Sequence, residues 1–458
     1  MAPLTVFSLF TLKELFRLAL PMVVSQGAFA LMMFADRFFL SRIDSVHVAA
    51  SLGGGVTFFV SICFFTGIVS YANALVAQYY GRRTLEFCPR VVTQAVYIAL
   101  ASQPILLLVT LLVGQSFAAI GHDPALVALE KPYFQVLMAG SFFFLVKNGL
   151  ASYFTGIGRT RVVMISDVIG VLLNIPLSYA LIFGKLGLPA MGIVGAALGT
   201  VIAGILTIGI YAVFYFNRIH VEQFKVRESF QFDRTIMRRY LRLGFPSGLE
   251  FFISMATFNI FMLLFQSYGI TEGAAMAIVF NWDMLSFVPM MGLSIAIMSL
   301  IGRHVGADDM SRATQVISSG CVIGLTYSGV LAVCFFLFRV DLLEVFASPG
   351  EDFSAIRGIG SKMMIGMACY VMADAVILVC SGTLRGAGDT RWLMIASIAL
   401  HVVMLLVQLV VILLLEQGPL VSWSVFVATL VLNAVIFAAR VFSGRWRQPE
   451  RLARVMAH

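Results

Sequence analysis

Long runs of apolar residues dominate the pattern of hydrophobic and polar positions along this chain of 458 residues. A helix needs about 20 apolar residues to cross the hydrocarbon core of a bilayer. Twelve runs reach that length, and polar residues are concentrated between them. The pattern therefore predicts spanning helices at residues 14–41, 47–79, 91–118, 129–156, 161–184, 190–217, 240–268, 273–301, 314–338, 355–384, 392–416 and 418–441.

Composition supports an all-α polytopic membrane protein. Hydrophobic residues make up 60% of the chain and charged residues 12%, whereas soluble domains carry about 25% charged residues. A transmembrane β-barrel would alternate apolar and polar positions, and the runs here are continuous. The net charge is +8, but the basic residues lie in loops and at the C-terminal end. We therefore expect the lipid bilayer as the surrounding partner and no nucleic acid.

Lys and Arg are distributed unequally between the two ends of the predicted spans. Of the 31 Lys and Arg residues, 23 fall on the side that holds the N-terminus and six on the opposite side. Cytoplasmic loops carry the excess of basic residues in membrane proteins. We therefore predict a multi-pass protein of the cell inner membrane with both termini in the cytoplasm.

The second half of the chain repeats landmarks of the first half. Residues 16–21 match residues 241–246, and residues 156–161 match residues 386–391. Each half holds six spans, so the halves share one orientation and form parallel repeats. The predicted domains are an N-terminal six-helix lobe at 1–217, a cytoplasmic linker at 218–239 and a C-terminal six-helix lobe at 240–458.

Four polar residues of the first half fall at a similar depth in the bilayer. Asp36 lies near the outer end of span 1, Asn174 and Ser178 lie past the middle of span 5, and Thr200 lies about ten residues into span 6. A carboxylate in hydrocarbon needs a partner, a proton or a cation. We predict that this cluster holds H⁺ or Na⁺. The alternative is that Asp36 is structural and pairs with Lys147, a basic residue midway along span 4.

The second half carries acids of its own. Asp374 lies near the middle of span 10, Glu250 about two turns inside span 7, and Asp283 within span 8. Asp374 and Glu250 are predicted to form a carboxylate pair that binds Na⁺ or attracts an organic cation. The alternative is that these acids only fix the packing. Asp167, near the start of span 5, is expected at the membrane interface beside Arg159 and Arg161.

Methionine is numerous in spans 1, 7 and 8, and flexible thioethers suit a site that accepts many shapes. We assign the substrate cavity to Gln26, Met33, Lys147, Asn281 and Asp283. Two glycine motifs, by contrast, indicate no ligand site. Gly195 and Gly199 form a small-residue packing motif in span 6, and Gly53-Gly54-Gly55 lacks the Lys-Ser/Thr partner of a phosphate loop. Any pumping must therefore use an ion gradient.

Several of these features recur in one known family. They are Pro21 followed fifteen residues later by Asp36, Asn174-Ile-Pro-Leu177, Leu243-Gly-Phe-Pro246, and Asp374 ten residues before Leu384-Arg-Gly-Ala-Gly-Asp-Thr390. The chain thereby resembles the MATE (multidrug and toxic compound extrusion) transporters, in particular the bacterial NorM-like branch. The resemblance implies the MATE fold, with two pseudo-symmetric six-helix lobes around a cleft. It also implies efflux of bulky, often cationic compounds in exchange for a cation.

The resemblance places ion coupling at Asp36 and Asn174, and we predict that Ser178, Thr200, Asp374 and Glu250 also take part in it. The chain departs from the family pattern at Ser178, where many relatives have an acid. We predict a secondary multidrug antiporter that exports organic cations and other small-molecule drugs as a monomer. It would use H⁺ or Na⁺ as coupling ion, with no cofactor and no metal site other than Na⁺ at Asp374 and Glu250.

Two alternatives to this function stay open. One is a flippase for lipid-linked precursors or polysaccharides, from the same superfamily, which would need a strongly basic cavity. The other is an intramembrane transferase enzyme. It would need a His, Ser or metal constellation, and His304 and His401 stand apart from any acid at metal-binding spacing. The prediction is therefore a transporter and not an enzyme.

Overall fold

The structure is a computed structural model that describes residues 8–119, 123–347 and 353–456. Within these ranges the chain is helical and contains no β-strand. The spans are Leu9–Ser41, Ser45–Ser70 continued by Ala72–Gly81, Phe87–Ala119, Pro124–Ala139 with Ser141–Gly156, Thr160–Phe183, Gly192–Tyr215, Arg234–Gln266, Ile270–Gly306, Met310–Leu337, Ser354–Gly386, Thr390–Leu409 continued by Val410–Leu414, and Pro419–Phe442. Short helices lie between or after them at Arg218–Gln223, Val226–Glu228, Arg339–Glu344, Arg445–Arg447 and Pro449–Met456.

The described residues contain eleven helices that are long and apolar enough to cross a membrane. Span 4 supplies the twelfth as a pair of helices bent by 48°. The bend lies at Gly140, where an added Cβ would stand 2.4 Å from the side chain of Val201 in span 6. The predicted twelve-span, all-α fold is therefore confirmed. Five prolines, which could kink a helix, all lie inside continuous helices; they are Pro21, Pro104, Pro176, Pro246 and Pro289.

The chain forms two compact units, whose boundaries fall inside spans 1 and 7. The first, called here the N-unit, runs from Val24 to Phe252. The second, the C-unit, comprises the chain up to Val23 and the chain from Ile253 onward. The linker after span 6 belongs to the N-unit, where Gln94 donates a hydrogen bond to the Gln231 carbonyl at 3.1 Å. The division into repeated lobes at residues 217 and 240 stays a prediction.

Glycines allow the closest helix contacts in both units. In the N-unit, an added Cβ at Gly195 would lie 2.5 Å from the Leu181 carbonyl oxygen of span 5. In the C-unit, added Cβ atoms at Gly382 and Gly386 of span 10 would lie 2.7 and 2.6 Å from carbonyl oxygens of span 8. Small residues let helix backbones approach closely in membranes, where van der Waals packing drives association.

The repeated motif at 156–161 and 386–391 forms the same turn in each unit. Gly158 and Gly388 adopt φ of 79° and 80°, a left-handed conformation that glycine tolerates best. The next residue in each turn binds a later part of the chain: the short helix after span 6 in the N-unit, and the end of span 12 with the last helix in the C-unit. Arg159 contacts His220 Nε2 at 3.1 Å in the N-unit. Asp389 accepts hydrogen bonds from Arg440, at 2.9 Å, and from Arg451 in the C-unit.

Both turns hold a buried titratable group at the end of a span. His220 is 1% exposed, and its Nδ1 lies 2.7 Å from the Tyr153 hydroxyl. Burial, together with the Arg159 guanidinium, lowers the pKa of His220 to about 4. Burial raises the pKa of Asp389, while hydrogen bonds and charge from Arg440 and Arg451 act in the opposite direction. The equivalent turns of the two units are thus anchored by different buried groups, a histidine in the N-unit and an aspartate in the C-unit.

Candidate functional site

The N-unit buries a carboxylate at the junction of spans 1 and 6. Asp36 is 7% exposed, and its Oδ2 accepts a hydrogen bond from Thr200 Oγ1 at 3.1 Å. Ser178 of span 5 neighbours the same carboxylate, and the Tyr133 phenol of span 4 interacts with it electrostatically. The structure thus brings together Asp36, Ser178 and Thr200, as their predicted depths required.

Span 5 presents further polar atoms within this buried region. Asn174 and Ser178 are both 0% exposed and lie one turn apart on the same helix face. Among the described residues, neither polar atom of the Asn174 amide has a hydrogen-bond partner, and the same holds for Ser178 Oγ and Asp36 Oδ1. Buried polar groups are rarely left unsatisfied, because each costs about 1–3 kcal/mol. Asp36 Oδ1 and, one turn along span 5 from Ser178, Asn174 Oδ1 can therefore bind a proton donor or a cation.

The small-residue motif of span 6 positions this site. An added Cβ at Gly199 would lie 2.5 Å from Ser178 Oγ and 3.0 Å from Ser178 Cα. The absence of a side chain at Gly199 therefore lets span 5 approach span 6 at the level of the site. Thr200 is the next residue, so the contact that seats Ser178 also sets the height of the hydroxyl that reaches Asp36.

Lys147 pairs with an acid of span 5. Its Nζ lies 3.7 Å from Asp167 Oδ1, and the two side chains are 25% and 15% exposed. Asp167 also accepts hydrogen bonds from the Ser25 hydroxyl and, at 3.1 Å, from the Tyr211 hydroxyl. The expected place of Asp167 beside arginines at the interface is therefore wrong. The alternative pairing of Lys147 with Asp36 is also not formed, because Lys147 compensates Asp167.

The C-unit contains a second acidic site, between spans 8 and 10. Asp283 is 8% exposed, and Asp374 is partly buried. The carboxylates of Asp283 and Asp374 interact electrostatically with each other and with the hydroxyl of Tyr370. Tyr370 precedes Asp374 by one turn, so both project from the same face of span 10. Two carboxylates and a phenol that share one place can hold a cation.

Aromatic rings frame this second site. The Tyr370 ring lies 5.7 Å from the Phe426 ring and 6.1 Å from the Trp423 ring. Trp423 is itself fixed, because its indole Nε1 donates to the Met363 carbonyl at 3.1 Å. Aromatic faces attract organic cations, and buried Tyr370 is 1% exposed. The frame therefore holds the phenol rigidly beside the two carboxylates.

The other predicted site residues lie apart from these two groups or have local partners. Glu250 is 7% exposed and belongs to the N-unit, so its pairing with Asp374 stays a prediction. Asn281 is exposed, and its amide donates to the Ala277 carbonyl of its own helix at 2.9 Å. Gln26 and Met33 are half-buried in the N-unit part of span 1. Their place in a substrate cavity also stays a prediction.

Three residues of these sites were absent from the predicted set. Tyr370 stands four residues before Asp374, and this spacing is a signal that the sequence contains. Tyr133 and Asp167 give no such signal, because their roles depend on how spans 4 and 5 are rotated about their axes. Within the described ranges, no three His, Cys, Asp or Glu side chains converge as metal ligands.

Comparison with known proteins gives the family. The MatE family model matches residues 21–180 and 246–410, which together make up more than half of the chain. A probable multidrug resistance protein NorM from Thermotoga maritima is 28% identical over 449 residues, covering 96% of this chain and 94% of that protein. The multidrug resistance protein MdtK from Yersinia pseudotuberculosis is 26% identical over 458 residues, covering 97% of each chain.

Solved structures agree with the fold. The eukaryotic MATE transporter AtDTX14 superposes with a TM-score of 0.85 at 17% identity, covering 98% of this chain and 99% of that chain. An outward-facing MATE family multidrug transporter superposes with a TM-score of 0.81 at 22% identity, covering 98% and 97%. The predicted fold and the predicted resemblance are both confirmed. The chain belongs to the MatE family of multi-pass membrane transporters.

Proposed function

We propose that the chain is a secondary multidrug efflux antiporter, which exports organic cations in exchange for H⁺. It would act as a monomer in the inner membrane with both termini in the cytoplasm. The observation that carries the proposal is the buried carboxylate of Asp36, which Thr200 and Ser178 approach and whose Oδ1 has no hydrogen-bond partner among the described residues. Relatives named as multidrug resistance proteins support the substrate class.

Asp36 supports coupling because its partners differ in its two protonation states. An ionised carboxylate only accepts hydrogen bonds, whereas a protonated one also donates. Thr200 has a single hydroxyl proton, and its Oγ1 lies 3.1 Å from both Asp36 Oδ2 and the Ala196 carbonyl. When Asp36 is ionised, Thr200 donates to it and spans 1 and 6 are tied together. When Asp36 is protonated, Thr200 can return to its own helix and Asp36 can donate to span 5.

The C-unit site supports binding of the positive group of the drug. Asp283 and Asp374 repel each other when both are ionised, and a cation between them relieves that repulsion. The neighbouring ring of Tyr370 adds an aromatic face. We assign the cationic substrate to this site and the coupling proton to Asp36. The competing outcome is that this site binds Na⁺ and not the cationic drug.

Transport by proteoliposomes tests the proposal. Vesicles loaded with a fluorescent organic cation receive an imposed pH gradient or an imposed Na⁺ gradient, and efflux is followed with wild type and Asp36→Asn. We expect the pH gradient to drive efflux by the wild type and not by Asp36→Asn. Glu222→Gln is the matched control, since Glu222 is an exposed carboxylate that pairs with Arg218 on a short helix.

Three results would contradict parts of this account. Undiminished gradient-driven efflux by Asp36→Asn would remove Asp36 from coupling. Efflux driven by Na⁺ alone would replace H⁺ as the coupling ion. Absence of efflux under either gradient, in protein that is folded and correctly inserted, would overturn the antiporter function itself.

A further inference from the structure

An aromatic groove opens on the surface of the N-unit where spans 1 and 5 end. Its volume is about 460 Å³, and it is lined by Phe38, Phe39, Arg42, Tyr179, Phe183 and Lys185. Span 1 ends at Ser41 and span 5 at Phe183. The four rings therefore belong to the last turns of two spans, and the two cations are just beyond the ends of those spans.

The rings form a continuous apolar wall across the two helices. Phe39 packs edge-on against Tyr179 at 5.5 Å between centroids, and Tyr179 lies 5.1 Å from Phe183. Phe38 and Tyr179 are each 44% exposed. Aromatic rings in the last turns of spans lie at the boundary between lipid headgroups and acyl chains. The wall is thus available to the acyl region of a lipid.

The two cations of the groove are uncompensated. In the part of the chain that the structure describes, neither Arg42 nor Lys185 forms an ion pair or donates a side-chain hydrogen bond; the Arg42 guanidinium lies 4.8 Å from the centroid of the Phe38 ring. The acid nearest Arg42 in sequence, Asp44, instead contacts His47 Nδ1 at 2.8 Å and caps span 2. Two neighbouring positive charges repel each other, and an anion between them would relieve the repulsion.

Two other cations predicted on the same side of the membrane have local partners. Arg339 donates to the Phe336 carbonyl at 2.7 Å, and Arg357 pairs with Glu344 at 3.5 Å. Lys362 is exposed and is not among the residues that line this groove. Arg42 and Lys185 therefore differ from these other cations, because they line one groove together with four aromatic rings and neither forms an ion pair among the described residues.

We propose that this groove binds one anionic phospholipid, with its phosphate between Arg42 and Lys185 and its acyl chains against the four rings. The charge order matches a lipid, because the cations lie beyond the helix ends and the rings lie within the apolar spans. A cationic drug is disfavoured by the same two charges. The site is separate from both acidic sites described above.

The bound lipid would stabilise the arrangement around Asp36. Phe38 and Phe39 follow Asp36 by two and three residues, and Tyr179 directly follows Ser178. A lipid that contacts both helix ends therefore favours the approach of span 1 to span 5. This consequence for transport rests on the proposed function, whereas lipid binding itself does not.

The experiment measures lipid retention and stability without transport. Purified protein is equilibrated with vesicles of phosphatidylcholine with or without phosphatidylglycerol, re-extracted, and examined by native mass spectrometry and thermal unfolding. We expect wild type to retain one phosphatidylglycerol and to show a higher Tm when that lipid is present. The double variant Arg42→Gln/Lys185→Gln should lose both effects. Lys362→Gln, which removes an exposed lysine elsewhere, should keep them.

Two outcomes would overturn the proposal. One is equal retention of phosphatidylglycerol by wild type and the double variant when both are folded by circular dichroism. The other is equal retention of phosphatidylcholine and phosphatidylglycerol by wild type, since the two cations would then select nothing. If the lipid is lost from the double variant and gradient-driven efflux is unchanged, the site stands and its link to Asp36 is wrong.

Discussion

The N-unit surrounds one carboxylate with neutral polar groups, whereas the C-unit places two carboxylates side by side. Asp36 has Thr200 and Ser178 on neighbouring spans, and the Asn174 amide lies one turn from Ser178 on span 5. Asp374 has Asp283 and the Tyr370 phenol. A lone acid among hydroxyl and amide groups can change its hydrogen bonds by taking one proton. Two acids together retain negative charge after one of them is neutralised, so they are better suited to hold a cation.

The two units differ in chemistry although they repeat the same architecture. At the offset of 225 residues that aligns residues 16–21 with residues 241–246, Asp36 corresponds to Phe261. Phe261 is 0% exposed and stacks on Phe426 at 4.6 Å. The C-unit thus has a ring stack where the N-unit has its acid. A duplicated frame of six spans can therefore divide two tasks, with proton exchange in one half and cation binding in the other.

Filling the small-residue contact of span 6 should break the N-unit site most severely. In Gly199→Val, the new side chain would overlap Ser178, which an added Cβ already approaches at 2.5 Å. We expect destabilisation of about 3 kcal/mol and loss of gradient-driven efflux, measured by thermal unfolding and in proteoliposomes. Gly204→Val is the control on the same helix, because no atom lies within 4 Å of an added Cβ at Gly204. Equal tolerance of both substitutions would contradict the close contact.

A second prediction concerns the ion pair between Lys147 and Asp167, which lies in the N-unit apart from Asp36. Lys147→Met leaves Asp167 without its compensating charge, although Ser25 and Tyr211 still donate to it. We expect a loss of about 2 kcal/mol, less than the 3–5 kcal/mol of a fully buried pair, measured by thermal unfolding. The double variant Lys147→Met/Asp167→Asn should recover most of the loss, because both charges are absent. A double variant as unstable as the single one would show that the pair is not coupled.

Neutralising one carboxylate of the C-unit should weaken the binding of a cationic drug and leave a neutral drug unaffected. We expect Asp283→Asn and Asp374→Asn each to raise the Kd of an organic cation by about tenfold, which corresponds to about 1.4 kcal/mol. Intrinsic fluorescence titration measures both ligands on the same protein. Asp341→Asn, on the short helix Arg339–Glu344, serves as the control. Equal weakening for neutral and cationic drugs would indicate a structural role for the pair.

The turns at Gly158 and Gly388 lead to a prediction of smaller effect, which concerns the pH dependence of stability. The pKa of His220 is about 4 in the folded N-unit, against about 6.5 for an ordinary histidine. Between these values the unfolded chain binds more protons, so stability falls as pH decreases from about 6.5 to about 4. His220→Gln should make thermal unfolding less dependent on pH in that window, with His47→Gln as the control for loss of a histidine. An unchanged pH dependence would contradict the buried, neutral His220.

The sequence allowed the spans and the Asp36 group to be predicted because both depend on distances along the chain. Apolar length defines the spans, and a rise of 1.5 Å per residue gives the depths of Asp36, Ser178 and Thr200. Pairings such as Lys147 with Asp167 and Asp283 with Asp374 depend on the rotation of each helix about its axis. Every face of a lipid-exposed helix is apolar, so the hydrophobic pattern carries little information about that rotation.

The unit boundaries illustrate the same limit. The polar residues after span 6 predict a linker between the two lobes. In the structure this linker packs on the N-unit through Gln94 and His220. The compact units instead change at Val23 and Ile253, in the middle of continuous helices. Val23 packs closely on the C-unit, because its nitrogen lies 2.7 Å from the position of an added Cβ at Gly292. Such contacts are tertiary, and no local pattern in spans 1 or 7 indicates them.

The division of tasks between the units is tested most directly by measuring drug binding and pH-driven efflux side by side in Asp36→Asn and Asp374→Asn. We expect Asp36→Asn to bind the organic cation with wild-type Kd and to lose pH-driven efflux. We expect Asp374→Asn to bind the cation more weakly, while a neutral drug is still exported under the pH gradient. If both variants lose binding and efflux to the same extent, the two acidic sites do not have separate roles.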